Sequence, residues 1–228
     1  MALKEAIKSI PIVGPIASGL ARRLKGDQFD TSSNYWERRY AKGGNSGAGS
    51  YNRLAHFKAG FLNEFVQKKG VRTTIEFGSG DGAQLELAEY PDYVGVDVSK
   101  TAIEATKRRF AGDERKAFYV SSEFPKGRMA DLTMSLDVIY HLVEDQAFER
   151  YMDDLFNAAS RFVIVYSSDY DEVAAPHVRH RNFTRWVETN RPDFSLAERV
   201  PNAFPFDESD PDNTSFADFF VFERKQPA

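Results

Sequence analysis

The chain has 228 residues, 42% of them hydrophobic and 28% charged, the balance of one soluble globular domain able to bury a full core. With 30 Lys and Arg against 34 Asp and Glu the net charge is -4, which disfavours a phosphate-backbone footprint, so no nucleic-acid partner is expected. The absence of cysteine excludes disulfides, thiolate metal sites and cysteine nucleophiles, and fits a reducing, cytoplasmic setting.

Taken in chain order, the apolar run Ile10 to Leu20 follows Lys4 and Lys8 but is broken by Pro11, Gly14, Pro15 and Gly19. It is too short and too interrupted to span a bilayer, so no transmembrane segment is expected. Residues 1–34 read as an N-terminal arm and linker, the arm packing on its own domain or on a second subunit, which leaves room for a homodimer; peripheral membrane attachment is the competing reading. Residues 35–228 read as one domain, with 35–70 as an N-terminal cap. In the cap, Tyr35, Trp36, Arg39 and Tyr40 fall at helical spacing, a glycine-rich loop runs from Gly43 to Gly49, and Leu54, Phe57, Phe61, Leu62, Phe65 and Val66 mark a helix over Arg53 to Lys69 closed by Gly70.

A strand over Val71 to Phe77 runs into Gly78-Ser79-Gly80-Asp81-Gly82, and a helix is expected over Ala83 to Tyr90. Strands follow at Tyr93 to Val98, Lys116 to Val120, Ala130 to Leu136 and Arg161 to Ser167, with helices at Thr101 to Phe110 and from Asp145. Five such units in series imply a parallel sheet with helices on both faces. The tail breaks this rhythm: Phe194 to Val200 and Ser215 to Arg224 form a terminal antiparallel pair.

Glycines between a strand and a helix let backbone amides approach a ligand, and a helix N-terminus welcomes negative charge. Asp97, ending the second strand about 20 residues on, is placed to hold two ribose hydroxyls. The register is wrong for G-x-G-x-x-G, and there is no G-x-x-x-x-G-K-[ST]. Together, Glu76 to Gly82, Asp97 and Ser135-Leu136-Asp137-Val138-Ile139-Tyr140-His141 resemble the first, second and fourth motifs of class I S-adenosylmethionine-dependent methyltransferases. The resemblance covers Val71 to Ser167 and implies a Rossmann-like seven-stranded sheet of order 3-2-1-4-5-7-6. It implies S-adenosyl-L-methionine as cofactor, with Glu76, Gly78, Ser79, Gly80 and Asp81 along its methionine part and Asp97 on the ribose. Val98 and Ile103 would border adenine, Ser122 or Glu123 would lie near its amine, and Leu136 and Asp137 beside the sulfonium.

The cap resembles that of bacterial methyltransferases of glycan biosynthesis, in which an aromatic and Arg-bearing segment precedes the cofactor loop. Arg39 would then pair with the cofactor carboxylate, Tyr35 and Trp36 would cover it, and Ser46 or Ser50 would supply hydroxyls; a cap simply packed on the core is the alternative. His141, at the carboxyl end of the fourth strand, is the first candidate for general base, with His177 and His180 next; helix capping or cleft packing is the alternative for His141. Tyr140, Tyr170, Arg179 and Arg181 are candidate contacts for a hydroxyl-rich acceptor, Arg179 and Arg181 lying in a loop after strand five beside Phe183 and Trp186, or else forming a solvated basic face. Asp137 with Asp169, Asp171 and Glu172 could ligate Mg²⁺, although their spacing matches no fixed metal motif. The reading is therefore transfer of a methyl group to a hydroxyl of a small molecule, a saccharide or glycan precursor. The alternatives are N-methylation, for which the Asp/Asn-Pro-Pro-aromatic tetrad after strand four is missing, and a non-catalytic S-adenosylmethionine-binding or assembly protein.

Overall fold

In the computed structural model, which describes residues 29–226, the elements are α1 (Ser32–Ala41), α2 (Asn52–Lys69), β1 (Thr73–Phe77), β2 (Asp92–Asp97), α3 (Lys100–Arg109), β3 (Lys116–Val120), β4 (Ala130–Leu136), α4 (Asp145–Asn157), β5 (Ala159–Ser167), β6 (Glu172–Ala175), β7 (Val178–His180), α5 (Phe183–Asn190), β8 (Phe194–Val200) and β9 (Asp218–Arg224). The arm expected over residues 1–24 and the start of the linker lie outside the described residues.

The large sheet has the order β3-β2-β1-β4-β5-β9-β8, which is the order implied by the resemblance. Its first five strands are parallel, and β9 pairs antiparallel with both β5 and β8. Because successive side chains point to opposite faces, the buried strands feed two apolar layers. Ile75, Phe77, Val163, Val165, Phe220 and Phe222 pack with Phe148, Met152 and Phe156 of α4 and Phe183 and Val187 of α5. Leu132, Met134, Ile164, Phe219 and Val221 face the other way, onto Leu62, Phe65 and Val66 of α2 and Ile103 of α3. The order in which strands are added to the sheet reverses between β1 and β4, so the crevice where such folds take ligands opens at the carboxyl ends of β1, β2 and β4.

Four local expectations are corrected. The linker ends at Thr31, whose side chain caps α1 by accepting the Asn34 amide, so the helix begins at Ser32 inside the stretch read as linker. The helix expected over Ala83 to Tyr90 is only a 3₁₀ turn, Gln84–Leu87. The Asn63 side chain on α2 holds Leu87 O and the Glu89 amide, and Pro91 follows, so the segment ends before an α-helix can propagate. The loop expected after strand five contains the β6–β7 hairpin, turned at Pro176-His177, and then α5, whose N-cap Asn182 accepts the Arg185 amide. Finally, β9 starts at Asp218, because Ser215 is taken up in an isolated bridge to Pro205.

Candidate functional site

A cavity of about 270 Å³ lies in the predicted crevice, between the glycine loop, the ends of β1, β2 and β4, and helices α1 and α4. The cap roofs it through three anchors. Glu37 of α1 accepts Ser99 Oγ and Thr101 Oγ1, each at 2.6 Å, and these bonds hold its carboxyl below the usual range. Ser32 donates from its hydroxyl to Glu144 at 2.7 Å. Ser46 and Asp81 exchange two bonds of 3.0 Å, and Tyr51 OH adds a third donor to the Asp81 carboxylate at 2.8 Å.

The glycine loop is tight because nothing larger fits. Gly78 and Gly80 have φ of 79° and 58°, and a Cβ would lie 2.3 Å from Val138 Cγ2 and from Ser46 Oγ respectively. Four of its five amides, however, are engaged within the protein. The Gly78 and Ser79 amides donate to Val96 O, Gly80 to Asp97, Asp81 to Ser46, and Ala83 to Asp81. With the following helix reduced to one 3₁₀ turn, the anion-welcoming terminus expected after the loop does not form.

Buried carboxylates dominate instead. Asp97 accepts the Gly80 amide on Oδ2 (2.9 Å) and the Ser99 amide on Oδ1 (2.8 Å), and burial pushes its pKa up to about 6. Glu76 is pushed up to about 7 by burial, opposed by a 2.6 Å hydrogen bond from Tyr93 OH. Asp137, at φ 60° just past β4, accepts Tyr140 OH on Oδ1 (2.9 Å) and pairs with Lys58 Nζ on Oδ2 (2.5 Å). Lys58 is a cavity-lining residue that the sequence reading missed. It is 1% exposed and sits on the apolar face of α2 with Leu54, Ala55 and Leu62, a cation where periodicity demands a hydrophobe. Two side-chain atoms of lining residues, Gln84 Oε1 and Ser79 Oγ, are buried with no hydrogen-bond partner.

Of the residues singled out in the sequence, Trp36, Ser50, Glu76, Gly78, Ser79, Gly80, Asp81, Asp97, Val98, Leu136, Asp137 and His141 line the cavity, as does Ser46. His141 Nδ1 lies 3.1 Å from the carbonyl of His177; a carbonyl only accepts, so Nδ1 carries the proton and Nε2 the lone pair. Burial pushes the imidazole pKa down to about 4, and Trp36 stands edge-on to the ring at 4.9 Å.

The others are placed elsewhere. Tyr35 stacks on His177 at 4.8 Å, Arg39 donates to Asn45 O at 2.7 Å, Ile103 is in the core, and Ser122 and Glu123 are exposed while Ser121 and Phe124 take the lining position. Tyr140 is buried beneath Asp137. His180 is buried against Ser168 and Tyr170, its pKa lowered by that burial. Arg179 and Arg181 clamp the β4–α4 connection: both bind Asp145, and Arg181 also binds Leu142 O and Val143 O. Asp169 and Asp171 accept Thr184 and Asn182 at the start of α5, and no cluster of three or more potential metal-ligating His, Asp or Glu residues occurs among the described residues. No described helix is long and apolar enough to cross a membrane.

No protein-family profile matches the chain, and no curated protein matches it. Solved structures do. The N-methyltransferase NodS from Bradyrhizobium japonicum WM9, in complex with S-adenosyl-L-homocysteine, is 18% identical with a TM-score of 0.66, covering 86% of this chain and 100% of its own. Magnesium protoporphyrin IX methyltransferase from Synechocystis PCC 6803, also with S-adenosylhomocysteine, is 14% identical with a TM-score of 0.59, covering 92% of this chain and 95% of its own. The methyltransferase domain of bacterial CtHen1-C is 18% identical at 0.59, covering 75% and 100%. The chain thus has the class I methyltransferase fold, which does not by itself name an acceptor.

Proposed function

We propose that the chain is an S-adenosylmethionine-dependent methyltransferase acting on a hydroxyl of a small molecule, a saccharide or glycan precursor. The observation that carries the cofactor reading is the charge of the cavity. Glu76, Asp81, Asp97, Asp137 and Asp154 line it against Lys58 and Arg150, and four amides of the glycine loop, those of Gly78, Ser79, Gly80 and Asp81, are already engaged. Such a site repels the pyrophosphate of a dinucleotide or a nucleoside triphosphate and suits a ligand carrying a sulfonium and an ammonium. The remaining lone pairs of the Asp97 carboxylate fit the ribose hydroxyls.

When bound, S-adenosylmethionine supplies an electrophilic methyl group. Asp97 holds the ribose, Val98 and Phe124 flank the base, and the Gly78 to Gly82 turn leaves room for the chain between sulfur and the amino-acid end. His141 Nε2 takes the acceptor proton. Because burial keeps the ring neutral above about pH 4, the lone pair is present at every working pH; the same low basicity means the proton moves only as the new O–C bond forms. The Nδ1–His177 bond and the Trp36 edge fix the ring's orientation. The hydroxyls of Ser33 and Ser50, which line the cavity with Trp36, suit a hydroxyl-rich ring better than the Arg179 and Arg181 side chains, which are engaged elsewhere.

Calorimetric titration tests the cofactor reading: S-adenosylmethionine and S-adenosylhomocysteine should saturate the site while NAD and ATP do not bind. Binding of NAD or ATP, or of none of the four, overturns it. With a panel of mono- and disaccharides, His141→Gln should slow S-adenosylhomocysteine production by about 10²–10⁴ while leaving cofactor affinity unchanged. Full turnover in that variant removes His141 as base, and no production by the wild type with any hydroxyl acceptor removes O-methylation.

A further inference from the structure

The β6–β7 hairpin pairs with no strand of the large sheet, and Glu172, Val173 and Ala174 of β6 are exposed, so little of its own surface holds it down. Arg179 ties its β7 arm to Val143 O and Asp145. Its tip, Pro176-His177, reaches the 3₁₀ turn Ile139–His141, where the His177 carbonyl lies 3.1 Å from His141 Nδ1. Tyr35 of α1 meets this tip: its ring lies on the His177 imidazole at 4.8 Å, with 20° between the planes. The next residue, Trp36, stands against His141 itself at 4.9 Å. Consecutive residues of one helix thus hold the candidate base and the residue that supplies its hydrogen-bond acceptor.

A neutral imidazole carries its proton on either nitrogen, and a base at Nε2 requires it on Nδ1. The hydrogen bond made by Nδ1 sets that choice, so the place of the His177 carbonyl decides how much of the ring has a bare Nε2. A carbonyl on an exposed hairpin tip is a movable acceptor unless the tip is pinned. Tyr35 is suited to pin it, because α1 is itself fixed on either side of this residue, Ser32 by Glu144 and Glu37 by Ser99 and Thr101. Neither Tyr35 nor His177 lines the cavity, so what they do for the reaction passes through His141. Resting on the reading of His141 as general base, we propose that Tyr35 is a positioning residue: by clamping the hairpin tip it keeps the His177 carbonyl on Nδ1 and holds His141 in the tautomer with a bare Nε2. The base is then assembled from three elements, the cap, the hairpin and the β4–α4 connection.

The ring ¹⁵N signals of the ligand-free protein test this without an acceptor in hand, the His141 signals being identified among the four histidines by their absence in His141→Gln. At neutral pH the wild type should show Nδ1 protonated and Nε2 bare. Tyr35→Phe, which keeps the flat face, should keep that pattern. Tyr35→Ala should give a mixture of the two tautomers, their ratio moving about three- to tenfold against bare Nε2. With a hydroxyl acceptor its kcat should fall by no more than that factor, while S-adenosylhomocysteine affinity stays within about twofold. An unmoved His141 pattern in Tyr35→Ala, or a mixture in Tyr35→Phe as well, overturns the clamp and leaves the base reading standing. Full turnover in His141→Gln instead removes the base, and the positioning role of Tyr35 with it. A wild type with its proton on Nε2 overturns both. Should Tyr35→Ala not fold, Tyr35→Leu, with apolar bulk but no flat face, decides by the same signals.

Discussion

The two ends of the sheet's carboxyl edge treat charge in opposite ways. Around β1, β2 and β4, Glu76 and Asp97 are buried and Asp137 half-buried at a cavity wall, with Lys58 buried among them and Arg150 on the same lining. Around β5, β7 and α5, Arg179, Arg181, Asp169 and Asp171 are richer in charge yet matched, each bonded to a neighbour that holds a loop or caps a helix. Carboxylates that outnumber their cations in a buried site are costly and persist where a cationic ligand completes them, whereas an ion-paired network stiffens the framework. The proposed role of each region follows from that contrast, and each can be broken separately.

The largest effect is expected at the Lys58–Asp137 pair. Lys58→Met strands a buried carboxylate and should remove about 3–5 kcal/mol of stability, or roughly 10 °C of thermal midpoint. Adding Asp137→Asn should restore part of it, because the stranded charge is then gone. A single-variant loss below about 1 kcal/mol would mean that the pair is solvated in solution.

The pair also marks a limit of legibility. Asp137 is legible from its motif and position after β4, but Lys58 is not, because the apolar periodicity of α2 carries no sign that a charge on that face is buried. The strands and their order were legible because parallel strands buried on both faces read as continuous apolar runs. The segment after the glycine loop was not, since its ending depends on Asn63 of a different helix. The His- and Arg-rich stretch was misread for a similar reason: residue type showed donors, while their acceptors, Leu142 O, Val143 O and Asp145, come from some 34–39 positions away.

A smaller effect separates the ligand from the fold. Burial, with smaller contributions from Asp81 and Glu37, raises the pKa of Asp97 to about 6, so folding favours the protonated acid relative to the unfolded chain. That contribution to stability is fully present below the ordinary aspartate value and lost as pH rises through about 6. Ribose binding needs the ionised form to accept two hydroxyls, so S-adenosylhomocysteine affinity should run the other way, falling about tenfold from pH 8 to pH 5. Asp97→Asn should bind weakly at both and abolish the slope. A slope that survives in that variant would assign the titration to another group.

The smallest effects are expected in the matched region, and their smallness is the argument. Arg181 is 8% exposed and satisfies two carbonyls and Asp145, so Arg181→Met should cost about 2–3 kcal/mol in thermal or denaturant unfolding. Arg179, with a side chain 36% exposed, shares the same Asp145, and Arg179→Ala should cost only about 0.5–1 kcal/mol. Neither should move S-adenosylhomocysteine affinity by more than about twofold, because neither side chain lines the cavity. An acceptor KM that rises in Arg179→Ala at unchanged stability would return this arginine to the substrate side and erase the contrast between the two regions.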